Sequence, residues 1–340
     1  MTAPLALWPL ILACVAVAGV TCLATWVAAA ALRRFQILDR PNARSSHVVA
    51  KPRGGGLALL PVVLIAWILA LRWLDAVPPG FWPVVTGAAC LGVVSWIDDL
   101  KSLPALTRFL AQGLAVAFGM VGLAGAGPVF QGLLPPALDL VAAGFLWLWF
   151  VNLFNFMDGI DGISGVEAIA IGLGLGLAAL LSAGDPAQVA LPWLLAAAAL
   201  GFLVWNWPPA RVFLGDVGSV SLGFLLGWLL LLAAAKGAWA AAAILPAYYL
   251  ADATITLLRR GLRGETVWRA HREHFYQRAT QGGWSHGRVS GAVALCNLAL
   301  IGLALAATRG YPWLALAGAV LAVGLLLFVL ARASGARLAE

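Results

Sequence analysis

Long apolar stretches separated by short polar connections make up most of the 340-residue chain. Each stretch is long enough to cross a bilayer as a helix, which satisfies the backbone hydrogen bonds that lipid cannot. The pattern predicts an all-α fold, a polytopic integral membrane helix bundle with one domain over residues 1–340. The predicted spans, about eleven transmembrane helices, cover 5–32, 56–73, 81–97, 106–124, 138–156, 163–183, 188–205, 218–235, 238–258, 289–307 and 312–331.

The composition excludes an ordinary soluble protein. Hydrophobic residues make up 63% of the chain, charged residues 10%, and the mean hydropathy is +0.95. A net charge of +7 could favour binding to nucleic acid. In a membrane protein, however, the position of each charge matters more than the net charge, and we expect no nucleic-acid partner. The four cysteines lie inside apolar stretches without the spacing of metal ligands.

Basic residues are divided unequally between the two sides of the predicted bundle. With the N-terminus outside, only Arg72, Lys236 and Arg309 of the 21 basic residues fall on the outer side. The positive-inside rule therefore predicts this orientation and a cytoplasmic C-terminus. Most acidic residues lie on the same inner side, so we expect the chemistry in the cytoplasmic loops. These loops are 33–55, 98–105, 152–165, 206–219 and 259–288.

Acidic and amide side chains cluster at three of these loops. Asp98 and Asp99 are adjacent at the end of the third span, where a divalent cation or a proton would relieve their repulsion; a solvated helix end is the simpler explanation. Asp216 lies between glycines at the start of a span, where it either caps the helix or binds a metal that bridges phosphates. The loop after the fifth span carries polar side chains every third residue, which places them on one helical face: Asn152, Asn155, Asp158 and Asp161.

Aromatic and basic side chains in the remaining loops fit an anionic ligand. Phe213 is either a flat ring for a nucleobase or packing at the membrane edge. The last long loop binds anionic headgroups or, because histidines alternate with arginine, a diphosphate; its candidates are His271, Arg272 and His274. The first inner loop adds Asn42, His47 and Arg53, followed by a glycine-rich turn that resembles no dinucleotide fingerprint.

Together these segments resemble the polyprenyl-phosphate N-acetylhexosamine-1-phosphate transferases, glycosyltransferase family 4. That superfamily includes the phospho-MurNAc-pentapeptide transferase and the WecA-like enzymes. The matching segments occur in order on one predicted membrane face. They are Arg40-Pro41-Asn42 with Arg53-Gly-Gly, Asp98-Asp99, Asn152-x-x-Asn155-x-x-Asp158-Gly-x-Asp161-Gly, Phe213-Leu-Gly-Asp216-x-Gly-Ser219 and the His-containing loop.

The resemblance implies roles for these residues. It implies Mg2+ on Asp216 and Asp99, with Mn2+ as a substitute, and stacking of Phe213 on uracil. It implies catalytic roles for Asp98, Asp99, Asp158, Asp161 and His274, and substrate contacts for Asn42, His47, Arg53, Asn152, Asn155, Phe213, His271 and Arg272. Arg272-Glu273 separates two histidines that are tightly clustered in the muramoyl-pentapeptide enzymes, which favours a simple UDP-N-acetyl-hexosamine.

The implied reaction joins undecaprenyl phosphate to a UDP-N-acetyl-sugar, giving undecaprenyl-diphospho-sugar and UMP, at the cytoplasmic face of a bacterial inner membrane. The product would start a cell-surface glycan of O-antigen, common-antigen or teichoic-acid type. The lipid bilayer is an expected partner, and a homodimer is left open. The competing hypothesis is a transporter or flippase, which requires polar residues near mid-membrane, whereas the predicted span centres here are almost uniformly apolar.

Overall fold

The computed structural model describes residues 7–41, 49–267 and 271–335. Within these ranges nearly all regular structure is helical, which confirms the predicted all-α class. Two short strands, β1 (Leu38–Asp39) and β2 (Lys51–Pro52), pair antiparallel before the second helix. The helices, α1 to α13 in chain order, are Leu7–Arg34, Gly56–Leu74, Phe81–Lys101, Ala105–Leu123, Pro136–Met157, Ile163–Leu181, Pro186–Asn206, Asp216–Ala233, Trp239–Ile244, Ala247–Leu262, Phe275–Gln281, His286–Thr308 and Pro312–Gly335.

The bundle has the surface of a multi-pass membrane protein. Ten helical segments within the described residues are long and apolar enough to cross a membrane. Large apolar side chains on the outer helices are exposed, among them Trp313 and Leu321 of α13. A contiguous apolar surface of this kind is stable against lipid tails and unfavourable in water.

The predicted ninth span, 238–258, differs from the expectation because it is broken into α9 and α10. Gly237, with φ of 93°, separates α8 from α9, and Pro246, which has no amide hydrogen, separates α9 from α10. The carbonyl of Ala234, the residue directly after α8, accepts a hydrogen bond from Gln131 Nε2 in the α4–α5 connection. The α10 helix instead lies beside the other end of α5. The two short helices therefore return the chain along the bundle, and the count of eleven spans stays a prediction.

Helix α8 is the centre of the bundle, and its first turn is the base of the site described below. Nearly all of its residues are buried, against α2, α3 and α5 among others. Gly56 and Gly218 let the starts of α2 and α8 touch: a Cβ atom on Gly56 would lie 2.2 Å from the Gly218 nitrogen. This contact holds the end of the connection between α1 and α2 against the start of α8.

Candidate active site

Residues from four separate connections meet at the end of the bundle where α3 and α5 finish and α8 begins. Arg53 joins them: its Nε lies 2.8 Å from Asp99 Oδ1, and one terminal nitrogen lies 2.8 Å from Asp216 Oδ1. Only a planar guanidinium presents two donors in this fixed arrangement. The predicted substrate contact Arg53 is thus brought together with both predicted metal ligands.

Asp99 is almost fully buried, with its side chain 1% exposed, and both of its oxygens have partners. Oδ1 accepts from the Asp216 backbone N–H at 3.0 Å, and Oδ2 accepts from the Val217 N–H at 3.1 Å. These are two of the amides that a helix start leaves without an internal partner. In the described structure, Asp99 therefore fastens the first turn of α8, and its predicted roles as catalyst and metal ligand stay predictions.

Asp98 and Asp216 face each other across the mouth of the site. Their carboxyl groups are in contact. Arg108, on α4, lies 3.2 Å from Asp98 Oδ2 and 3.9 Å from Asp216 Oδ2. The Leu103 backbone N–H also donates to Asp98. Two ionised carboxylates in contact repel each other unless a cation or a proton lies between them.

The two predicted amide residues of α5 lie beside this carboxylate pair. Asn155 Nδ2 donates to Asp216 Oδ1 at 3.2 Å and to Ser219 Oγ at 2.8 Å. Asn152 Nδ2 donates to the Leu148 carbonyl of its own helix. Both asparagines line the same cavity as Asp216, so the three-residue spacing does place them on one face.

Asp158 follows the end of α5 and carries a perturbed carboxyl. Burial raises the pKa of Asp158 to about 7, while a hydrogen bond from Ser164 opposes that shift and the charge of Asp216 adds to it. The Ser164 hydroxyl lies 3.3 Å from the hydroxyl of the buried Tyr249. A carboxyl with a pKa near neutrality exchanges a proton easily at physiological pH.

Asp161 connects three parts of the chain. Oδ2 accepts from the Ala210 N–H at 2.9 Å and lies 3.4 Å from Lys51 Nζ, and Oδ1 lies 3.4 Å from His286 Nδ1 at the start of α12. These partners hold the pKa of Asp161 below its usual range. In the structure, Asp161 therefore links the α7–α8 connection, the α1–α2 connection and the start of α12. Its predicted catalytic role stays a prediction.

Phe213 is positioned by its backbone. Its N–H donates to the Pro52 carbonyl, and its own carbonyl accepts from Gly54 and Gly55. Its ring is half-buried, with the Lys51 ammonium 5.1 Å from the ring centroid. The ring lies on the same side of the bundle as Asp161, and its predicted stacking on uracil stays a prediction.

The His-containing loop places His274 at the start of α11, held by Asp252 of α10. His274 Nδ1 lies 3.3 Å from Asp252 Oδ1, and its ring stacks on Tyr276 at 5.7 Å and 16°. The Tyr276 hydroxyl donates to the Phe156 carbonyl at 3.1 Å, next to Asp158. The loop thus contacts the end of α5, and the catalytic role of His274 stays a prediction.

His271 and Arg272 border this arrangement. The His271 ring lies 4.8 Å from that of His274, and burial lowers the pKa of His271 to about 4. Arg272 is half-buried, and its carbonyl accepts from Gln281. The intervening Glu273 forms ion pairs with Arg263 and Arg260, and these ion pairs hold the pKa of Glu273 below its usual range. The predicted contacts Asn42 and His47 lie outside the described residues.

A cavity of about 850 Å³ opens beside the carboxylate pair and runs between α3, α4, α5 and α10. Its polar end contains Asp98, Arg108, Asn152, Asn155 and Asp216. The rest of its lining is mainly apolar, for example Leu91, Phe109, Leu148 and Leu258. Such a groove fits a molecule with an anionic head and a long hydrocarbon tail.

Several residues of this site were not singled out from the sequence. Arg108 looked like one more basic residue of an inner loop, and Ser164, Tyr249 and His286 carry no motif of their own. Asp252 did have a signal, since an ionisable residue inside a predicted span is costly unless it has a function.

The donor set allows a test of the predicted metal. Among the described residues, no group of three or more acidic, histidine or cysteine side chains is arranged to hold a metal ion. The facing carboxylates of Asp98 and Asp216 supply two of the oxygen donors that Mg2+ prefers, and Mg2+ commonly takes its remaining ligands from water and substrate phosphates. The residues present therefore fit a metal that binds together with its substrate.

Known proteins resemble this chain over most of its length. A probable undecaprenyl-phosphate N-acetylglucosaminyl 1-phosphate transferase of Bacillus subtilis is 29% identical over 270 residues, 73% of this chain and 71% of that protein. A decaprenyl-phosphate N-acetylglucosaminephosphotransferase of Mycolicibacterium smegmatis is 30% identical, covering 77% and 73%. A phospho-N-acetylmuramoyl-pentapeptide-transferase of a Synechococcus species is 31% identical, covering 85% and 87%.

The family model described as glycosyl transferase family 4 matches residues 81–234. That range holds the carboxylate pair, both asparagines and the whole of α8. With relatives at this level of identity over most of both chains, the protein belongs to glycosyl transferase family 4.

Proposed function

We propose that this protein transfers an N-acetylhexosamine-1-phosphate from a UDP-sugar to undecaprenyl phosphate, giving undecaprenyl-diphospho-sugar and UMP. One observation carries the proposal. The apolar groove ends at a group of carboxylates, amides and Arg108, so a lipid phosphate lying in the groove would present its head to Asp98 and Asp216. The names of the relatives, which include transferases to undecaprenyl and decaprenyl phosphate, support this choice of acceptor.

The main barrier is the repulsion between two anionic substrates. An oxygen of the lipid phosphate attacks the phosphorus that bears the sugar; the bond from that phosphorus to the bridging oxygen breaks, and UMP leaves with that oxygen. Asp216 would hold Mg2+, which would supply positive charge to neutralise the diphosphate. Arg108 lies where it can pair with the lipid phosphate, and Asn155 holds Asp216 in place. Positioning then accounts for much of the rate.

Proton handling falls to the carboxylates near the groove. Asp98 is at the groove mouth, and we propose it as the group that takes a proton from the lipid phosphate. Asp99 is less suited, because its side chain is only 1% exposed and lies outside the lining of the groove. Asp158 and His274 would contact the nucleotide-sugar from the opposite side, next to the end of α5.

The proposed setting is the cytoplasmic face of a bacterial inner membrane. The excess of basic residues at the site end of the bundle supports this orientation. Single cysteines at Arg34 and Arg309, in a background without the four native cysteines, test it: a membrane-impermeant thiol reagent should label position 309 in intact cells and position 34 only after lysis. Labelling in the reverse order would refute the orientation.

The reaction is tested with purified protein by the release of UMP from UDP-N-acetylglucosamine. We expect release to require both Mg2+ and undecaprenyl phosphate, whereas a transporter would release none. A panel of other UDP-sugars then identifies the donor. The glycan that the product initiates stays a prediction, and the oligomeric state stays open.

A matched pair of variants tests the groove. Ala111 lines the cavity on α4, and Leu114, on the same helix, is 72% exposed on the outer surface. Ala111→Trp should raise the KM for undecaprenyl phosphate about tenfold or more while leaving the KM for the UDP-sugar within about twofold, because an indole fills much of the groove width. Leu114→Trp should change neither value. Equal KM values for the lipid in both variants would place the acceptor elsewhere.

A further inference from the structure

Asp252 is a buried carboxylate in the first half of α10. Its exposed fraction is 0%, and it lies in α10, which forms part of the groove wall. A charged group in such a place is costly unless it is fully hydrogen-bonded. The site described above gives Asp252 no contact with either substrate, so the burial of this carboxylate needs another explanation.

Both oxygens of Asp252 are used to hold the start of α11. Oδ1 accepts from the Phe275 N–H at 3.0 Å and lies 3.3 Å from His274 Nδ1. Oδ2 accepts from the Tyr276 N–H at 3.2 Å and from the Tyr248 hydroxyl at 3.2 Å. One carboxylate therefore fixes two backbone amides and one ring nitrogen of the same short segment.

This arrangement fixes the orientation of the His274 ring. A carboxylate oxygen accepts a hydrogen bond, so Nδ1 is the nitrogen that carries the hydrogen towards Asp252. Only Nε2 is then left to meet a ligand. Stacking on the buried Tyr276 prevents the ring from tilting away.

The fixed segment is also in contact with the end of α5. The Tyr276 hydroxyl donates to the Phe156 carbonyl, and a Cβ atom on Gly159 would lie 2.1 Å from that hydroxyl oxygen. The segment that Asp252 holds therefore packs directly against the residues on either side of Asp158. A shift of α11 would displace both His274 and this connection.

We infer that Asp252 is a positioning residue for the transfer reaction, which acts by fixing the His274 ring at the start of α11. The inference rests on the proposed function, in which His274 and Asp158 contact the nucleotide-sugar. Asp252 itself touches neither substrate, and it exerts its effect through His274.

A double-mutant cycle separates this role from a general contribution to folding. Asp252→Asn should lower kcat/KM about tenfold or more, because an amide cannot accept at both of its ends. In the His274→Ala background the same change should cost less than about threefold, since residues that act through one another are not additive. Equal losses in both backgrounds would overturn the inference.

Asp139 provides a matched control at the opposite end of the bundle. It is also buried, 4% exposed, and its two oxygens accept from the Val129 and Phe130 amides at 3.0 and 2.8 Å. Asp139→Asn therefore removes the same kind of carboxylate from two backbone amides. It should lower the unfolding temperature to a similar degree while leaving kcat/KM within about twofold. A comparable loss of turnover in Asp139→Asn would also overturn the inference.

Hydrogen exchange gives a readout that needs no activity. Asp252→Asn should speed exchange at the Phe275 and Tyr276 amides, and Asp139→Asn should not, because only the first variant releases the start of α11. Unchanged exchange there would show that Asp252 does not hold this segment. If the wild-type protein releases no UMP, the proposed function fails, and the exchange result still decides whether Asp252 holds α11. If the wild type is active and the cycle is additive, only the inference fails.

Discussion

Replacing Asp99 by asparagine distinguishes a structural fastening of α8 from a direct role in chemistry. The side chain has three partners: the Arg53 guanidinium and the first two amides of α8, at Asp216 and Val217. Asparagine keeps one acceptor oxygen but turns an NH2 group towards one of these donors, and it removes the charge. At least one charge-assisted hydrogen bond is lost, worth about 1.5–3 kcal/mol.

The side chain is 1% exposed, so solvent compensates little for the loss. If this lost free energy is the energy that keeps Asp216 in its correct position, turnover should drop about 10- to 150-fold, at about 1.36 kcal/mol for each factor of ten. The unfolding temperature should fall at the same time, because the same bonds fasten α8 to α3. UMP release and thermal unfolding of the purified variant measure the two effects.

Asp185→Asn serves as the control, because Asp185 precedes the first turn of α7 at the opposite end of the bundle. It should leave turnover unchanged. An Asp99→Asn protein that unfolds at the wild-type temperature and shows no turnover would refute the fastening role and favour the originally predicted role as catalyst or metal ligand.

Three further predictions follow from the site. Asp216→Asn should abolish turnover while the protein still inserts and folds, and chelation of Mg2+ should do the same reversibly; near-normal turnover in either case would reject the metal assignment. If ionised Asp158 is required, turnover should fall as the pH drops below about 7. Ser164→Ala should move the acid side of the pH–rate profile to higher pH, because the lost hydrogen bond favoured the charged form of Asp158. A profile identical to the wild type would contradict this. Arg53→Lys should lower kcat/KM about tenfold, because a single ammonium group cannot replace the two guanidinium nitrogens that bind Asp99 and Asp216. An unchanged kcat/KM in steady-state kinetics would show that this paired contact is dispensable.

The ninth predicted span shows where apolar periodicity is insufficient. Residues 238–258 are apolar enough for one helix, but Pro246 interrupts it. The proline was visible in the sequence, and a proline inside a span is often only a kink. Only the packing of α10 along the groove shows that the break separates two helices with different neighbours.

Asp99 and Asp252 show the same limit for single side chains. The sequence identified Asp99 as functional because it adjoins Asp98, yet the structure gives the two neighbours different partners: Asp98 faces Asp216 and Arg108, and Asp99 faces the start of α8. Asp252 was passed over because it stands alone in an apolar stretch, and its partners at the start of α11 lie 22 to 24 residues further along the chain.

The sequence by itself determined that the chain is a helical membrane bundle. It also determined which connections between the helices carry polar groups, and that the motifs in these connections resemble those of one transferase superfamily. These properties depend on composition and local spacing, because a bilayer imposes the same length and polarity on every span. The tertiary structure alone decided which carboxylate faces the groove, which one fastens a helix, and which one orients His274. Hydrogen bonds and ion pairs act over about 3 Å, so the partner of a side chain depends on how the helices pack and not on its position in the chain.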